Sequence, residues 1–207
     1  MVFSGIVEGT AVVSRITKEP GLYRLEIETN SAFSSGLQIG GSVCVDGVCL
    51  TASSINSNCL GFDVMMETLA VTTLNDVKEK DIVNVERSVK LGDEIGGHLV
   101  SGHVSDVVTV CQIEKPENNH VLTFQTNSEV MRYIFPKGYI ALNGVSLTVG
   151  DVNRSDNCFS VYLIPETLRL TNLGNKEVGD CINLEIETQT RNMVDTISVV
   201  SKETING

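Results

Sequence analysis

Two short runs hold the side chains best suited to chemistry. Ser101-Gly102-His103-Val104 places an imidazole in a Gly-rich stretch, and Cys49-Leu50-Thr51 places a thiol and a hydroxyl two residues apart. An imidazole with an ordinary pKa of about 6.5 moves protons near neutral pH, and equally serves as a structural hydrogen-bonding group. Cys49 is a nucleophile only if its thiolate is stabilised. No basic residue stands beside it, so a packed thiol is the simpler reading. Thr51 and Thr148, each behind a Leu, offer a hydroxyl and backbone groups to the edge of a heterocycle, or are plain strand. Glu67-Thr68 and Glu166-Thr167 suit a polyol, or cap the turn that follows. His98 and His103 are five apart, which fits neither one helix face nor one strand face, and no ligand cluster surrounds them, so no metal is expected.

These runs belong to a repeat. At an offset of 97, Ser4-Gly5-Ile6-Val7 matches Ser101-Gly102-His103-Val104, and residues 41–51 match 138–148. Past Phe62 and Phe159 the offset becomes 99, where Glu67-Thr68-Leu69 matches Glu166-Thr167-Leu168 and residues 81–84 match 180–183. Several blocks in order at one spacing mark a tandem duplication. The copies differ at chosen polar places: Ile6 against His103, Ser42 against Tyr139, Asp46 against Asn143, Cys49 against Ser146. Two pockets that hold one kind of ligand and treat it differently would look like this, and so would drift after duplication.

The elements that position these residues read as strands. Tyr23, Leu25 and Ile27 alternate with polar neighbours at period two. Asp46-Gly47 and Asn143-Gly144 are two-residue hairpin turns between apolar runs. Strands are expected at 3–16, 22–28, 42–46, 48–55, 59–65 and 82–87, and again at 99–113, 121–126, 138–142, 145–152, 158–164 and 181–187. Helical turns are expected within 127–135 and after each Glu-Thr-Leu. Six short antiparallel strands in about 90 residues favour a closed barrel, because closure removes exposed edges. The expected organisation is all-β: a barrel in 1–97, a second in 98–187, and a helical tail in 188–207. In that tail Met193, Val194, Ile197, Val199 and Val200 fall near helical spacing, suited to packing on the chain's own barrel or on copies of itself.

Composition narrows the partners. With 26 acidic and 15 basic side chains the net charge is -11, and there is no Trp. That opposes nucleic acid, which calls for clustered cations and stacking aromatics. No apolar run approaches the roughly 18 residues of a membrane span. The start has no basic n-region and meets Glu8 early, so no signal peptide is expected. Six cysteines without a CxxC pair are expected to be buried, reduced thiols of a cytoplasmic protein.

Taken together, Phe3-Ser4-Gly5-Ile6-Val7-Glu8-Gly9, Cys49-Leu50-Thr51, Glu67-Thr68-Leu69, Asn84-Val85-Glu86-Arg87, Asp93-Glu94-Ile95-Gly96-Gly97-His98, Ser101-Gly102-His103-Val104, residues 139–148 and Leu163-Ile164-Pro165-Glu166-Thr167-Leu168 resemble riboflavin synthases of the trimeric alpha-chain type. The resemblance implies two Greek-key barrels, a C-terminal trimerisation helix, and no cofactor. It implies a dismutation of two 6,7-dimethyl-8-ribityllumazine molecules, between the N-barrel of one subunit and the C-barrel of its neighbour. The N-barrel half-site would comprise Gly5, Ile6, Val7, Ser42, Cys49, Leu50, Thr51, Asp63, Val64, Met65, Met66, Glu67 and Thr68. The C-barrel half-site would comprise Gly102, His103, Val104, Lys137, Ser146, Leu147, Thr148, Tyr162, Leu163, Ile164, Pro165, Glu166 and Thr167. His103, with Ser146 and Thr148, would manage protons on the C-barrel side, and Ser42 and Cys49 would orient or supply the nucleophile on the N-barrel side. Docking to lumazine synthase stays open. So does the rival reading, a non-catalytic lumazine- or flavin-binding antenna protein of the same fold. Against the family pattern, the hairpin residues Asp46 and Asn143 are interchanged, and Glu187 stands where Asp is common.

Overall fold

The computed structural model describes residues 2–117 and 119–206, with side chains through residue 201; Met1, Asn118 and Gly207 lie outside the described residues. Strands β1 (Gly9–Glu19), β2 (Leu22–Glu28), β3 (Ser42–Val45), β4 (Val48–Asn56), β5 (Cys59–Met65) and β6 (Ile82–Arg87) close a barrel in the order β1-β2-β5-β4-β3-β6. Strands β7 (Asp106–Glu114), β8 (His120–Gln125), β9 (Tyr139–Leu142), β10 (Val145–Asn153), β11 (Cys158–Leu163) and β12 (Cys181–Ile186) close a second in the equivalent order β7-β8-β11-β10-β9-β12. Alternation explains both. Val43, Val45, Leu50, Phe62, Val64 and Val85 turn into the first core, and Ile140, Leu142, Leu147, Phe159, Leu163 and Leu184 into the second. Each barrel bends at matching irregularities, between Val13 and Arg15 and between Val110 and Gln112, which supply the curvature closure needs.

Short helices close the ends. Helix α1 (Ser31–Ser34), unforeseen in the sequence, buries Phe33 and is capped by Asn30; its repeat, α3 (Ser128–Met131), is capped by Asn127 and buries Val130 and Met131. Helices α2 (Met66–Ala70) and α4 (Pro165–Leu170) contain the two Glu-Thr-Leu runs, and the helical turns expected after them follow as 3-10 turns at Thr73–Asn75 and Asn172–Asn175. The tail is one helix, α5 (Thr188–Asn206). Glu187 starts it, accepting the N–H of Gln189 and of Thr190 (both 2.7 Å) and the Thr190 hydroxyl (2.8 Å). This carboxylate is thus a structural cap. Burial pushes its pKa up, but the three donors hold it below the usual range.

The two barrels meet about a local pseudo-twofold axis. Phe3 and Val100, 97 apart, exchange both backbone hydrogen bonds (2.7 and 3.0 Å). They pack with Cys44 and Ala141 in a small apolar cluster. The hairpins touch there too, with Asp46 and Asn143 at φ 45° and 46°. Asn84 Nδ2 donates to the Asn143 carbonyl (3.0 Å), and Asn183 Nδ2 to the Asp46 carbonyl (2.8 Å). The first strand of each barrel accordingly starts at Gly9 and Asp106, not at 3 and 99. Residues 3–8 and 100–105 are straps that cross to the other barrel.

The cysteines correct another expectation. All six lack disulfides, but only Cys44 is buried; Cys49, Cys59 and Cys158 are half-buried, and Cys111 and Cys181 are exposed.

Candidate active site

The candidate residues lie on the outer wall of each barrel. Ser42, Cys44, Cys49 and Thr51 share the outward face of the β3–β4 ladder, where Ser42 faces Thr51 and Cys44 faces Cys49. In the second barrel Tyr139 faces Thr148 and Ala141 faces Ser146. Leu50, Val64, Leu147 and Leu163 point into the cores, so they offer only backbone to a ligand outside.

Each cradle is completed by the other barrel's strap. The Cys49 N–H donates to the Gly102 carbonyl (2.9 Å), and the Ser146 N–H to the Gly5 carbonyl (2.8 Å). Val104 packs on the first core, and Val7 is buried in the second. The expected grouping is therefore corrected. Gly102, His103 and Val104 belong with Cys49 and Ser42, and Gly5, Ile6 and Val7 belong with Ser146 and Thr148. Both straps need glycine. Gly102 has φ +77°, and a Cβ there would lie 2.5 Å from Cys49 Cβ; Gly5 has φ +71°, and its Cβ would lie 2.5 Å from Ser146 Cβ.

The imidazole that meets Ser146 is a different one. His98, absent from the expected site, has Nδ1 2.7 Å from Ser146 Oγ and stacks on Tyr139 with ring centroids 5.5 Å apart. Burial lowers its pKa, so its neutral form prevails at pH 7. Its signal in the sequence is the Gly96-Gly97 pair in front of it: a Cβ on Gly97 would fall 2.7 Å from Ser146 Cβ. At Cys49, burial raises the thiol pKa against a hydrogen bond with Ser42 that lowers it. The thiol form prevails at neutral pH, in keeping with an orienting group.

The outer stretches follow the same plan. Asp63 pairs with Arg24 (3.4 Å), and the equivalent Tyr162 donates its hydroxyl to Asp151 (3.0 Å). Glu67 and Thr68 lie in α2 and Pro165, Glu166 and Thr167 in α4; neither helix has a side-chain cap, and Arg169 holds Glu166 (2.6 and 2.9 Å). Met65, Met66 and Ile6 stay exposed beside these residues, as do Tyr139 and Ile164. Lys137, also exposed, enters β9 with φ 66°.

Comparison with known proteins gives this architecture a context. The family model of the lumazine binding domain matches twice, at residues 4–88 and 101–187. The riboflavin synthase of Escherichia coli (strain K12) is 46% identical over 199 residues, covering 96% of this chain and 92% of that one. The riboflavin synthase of Chlamydia pneumoniae is 43% identical over 195 residues, covering 94% of each. Among solved structures, LumP complexed with 6,7-dimethyl-8-(1'-D-ribityl) lumazine superposes with a TM-score of 0.80 at 24% identity, covering 89% of this chain and 98% of that one. At that identity the likeness speaks for the fold. Two lumazine-binding repeats, matched over nearly the full length of curated relatives, mean that the chain belongs to the riboflavin synthase family of transferase enzymes.

Proposed function

We propose that the chain dismutates two molecules of 6,7-dimethyl-8-ribityllumazine, passing a four-carbon unit from one to the other to give riboflavin and 5-amino-6-(ribitylamino)uracil. Atoms balance between two substrates and two products, so the reaction consumes no oxidant, reductant or water. The observation that carries the reading is the pair of equivalent cradles with unlike polar groups: Ser42, Cys49 and His103 on one, Tyr139, Ser146 and His98 on the other. Two identical substrates with different fates call for this arrangement.

One lumazine loses a proton from its 7-methyl group, whose carbanion the ring delocalises, and the other is attacked at C7 by a hydroxyl or water that is expelled again before the products form, so none is consumed. Ser42 and Cys49 orient the ring on the N-barrel, and His103 moves the proton there. Ser146, held by His98, and Thr148 bind the second ring on the C-barrel. Much of the acceleration comes from holding two large rings face to face, which makes a bimolecular step effectively unimolecular.

The complete site forms between the N-barrel cradle of one subunit and the C-barrel cradle of the next, in a homotrimer. Helix α5 supports this. Its inner face is tied to the second barrel, with Arg132 bonding Asp195 (3.2 Å) and Ser198 (3.0 Å) and Tyr133 bonding Asp195 (2.6 Å). Its outer face exposes Met193, Ile197 and Val200 in one stripe, an apolar surface suited to another copy. A cytoplasmic location accords with six cysteines free of disulfides.

The test is incubation of the purified protein with 6,7-dimethyl-8-ribityllumazine. Riboflavin and the uracil product are expected in equal amounts. Tight binding without product would favour an antenna-type binding protein instead.

A further inference from the structure

Two carboxylates outside the cradles occupy equivalent places in the barrels. Glu86 in β6 and Glu185 in β12 are 3% and 5% exposed. Glu86 follows the inward-facing Val85, and Glu185 stands between the inward-facing Leu184 and Ile186, so both turn to the outer wall where the barrels meet. A carboxylate so buried is costly unless donors surround it. Glu185 accepts the Ser101 N–H (2.7 Å), the Ser101 hydroxyl (2.8 Å) and the Gly102 N–H (2.9 Å). Glu86 accepts the Ser4 N–H (2.7 Å) and the Ser4 hydroxyl (2.8 Å).

These donors lie at the root of each strap. Glu185 grips Gly102 by its N–H, and Cys49 of the other barrel grips the same residue by its carbonyl. His103 follows directly. On the other side Glu86 grips Ser4, and the next carbonyl, of Gly5, receives the Ser146 N–H. A strap held at one end by its own barrel and at the other by the opposite cradle transmits position between them.

We propose that Glu185 is a positioning residue for the N-barrel cradle around Cys49 and His103, and Glu86 for the C-barrel cradle around Ser146, each acting across the barrel boundary through its strap. The catalytic consequence rests on the function proposed above; the positioning itself does not. Hydrogen bonds to an ionised carboxylate are the strong kind; burial pushes the Glu86 pKa up to about 7, so at Glu86 the grip is fully charge-assisted only above that pH. Replacing a carboxylate by an amide of the same size weakens the grip and, at Glu185, turns an NH2 toward a backbone donor.

The experiment compares Glu185→Gln with Glu86→Gln by residue-resolved amide hydrogen exchange. Exchange at the Cys49 amide should quicken by roughly tenfold in Glu185→Gln, with Ser146 unchanged, and the pattern should invert in Glu86→Gln. In turnover of 6,7-dimethyl-8-ribityllumazine, kcat should fall by about tenfold in each variant with KM moving less. Should the Gln variants fail to fold, Ser101→Ala and Ser4→Ala remove one donor each and carry the same sidedness. Equal change at both amides, no change at either, or a change on the same side as the altered barrel overturns the proposal. Crossed exchange in a protein whose wild type forms no riboflavin supports the positioning and overturns the reaction.

Discussion

The Gly102 carbonyl accepts the Cys49 N–H at 2.9 Å, so a residue that opens the second repeat completes the cradle of the first. The matching bond from Ser146 to Gly5 does the reverse. Neither cradle is built from its own barrel alone. The duplication is therefore an exchange of straps as well as a doubling of cradles, and His103 follows directly on the residue that bonds Cys49.

Gly102→Ala should disturb this exchange at its tightest point. The backbone is at φ +77° and the added methyl meets Cys49. Stability should fall by about 1–3 kcal/mol in urea unfolding, and riboflavin formation should fall with it. Gly9→Ala, where a Cβ meets nothing within 4 Å, should leave turnover unchanged.

Asp46→Asn should stabilise the protein at neutral pH. Burial raises the Asp46 pKa from 3.8 to about 6, against hydrogen bonds from Asn84 and Asn172 that lower it. A raised carboxyl pKa favours folding in its protonated form. That contribution is full below about pH 4 and is lost as pH rises through about 6. The substitution should therefore gain about 1–3 kcal/mol at pH 7.5 and little at pH 4. Asn143 already fills the equivalent turn, accepting the Asn183 N–H at 2.9 Å. Denaturant titrations at the two pH values check both sign and size.

His103→Ala should slow turnover by roughly 10–100-fold without abolishing it, since positioning two rings supplies much of the rate. Lumazine affinity, followed by fluorescence titration, should stay within about threefold of wild type. Complete loss of turnover with intact binding would contradict this share-out.

Ile197→Glu places a charge in the exposed stripe of α5, between Met193 and Val200. Sedimentation velocity should show the proposed trimer replaced by smaller species. On the proposed two-subunit site, turnover should fall in parallel, while the barrels keep their circular dichroism.

The barrels are legible in the sequence because period-two alternation and the Asp46-Gly47 and Asn143-Gly144 turns are local signals, and the repeat doubles each of them. The straps pass for strand for a physical reason. Phe3 and Val7 are apolar and precede a true strand, so they extend its pattern, but Gly5 at positive φ breaks it. The partner that Gly5 meets, Ser146, lies in the other repeat, and no spacing rule reports that. His98 shows no ligand spacing, and the Gly96-Gly97 pair in front of it does not name its partner, Ser146, which lies 48 residues on. Glu86 and Glu185 stand within plain strand runs, and only burial against Ser4 and Ser101 reveals what they hold.

The central claim is that one active site joins the N-barrel cradle of one subunit to the C-barrel cradle of its neighbour. Mixed trimers test it most directly. Gly102→Trp should block the cradle around Cys49, and Gly5→Trp the cradle around Ser146, so trimers of either variant alone should form no riboflavin. In co-refolded equal mixtures, random assembly leaves about one interface in four with both cradles intact, and about a quarter of wild-type turnover should return. Activity no higher than the sum of the two variants alone would contradict the account.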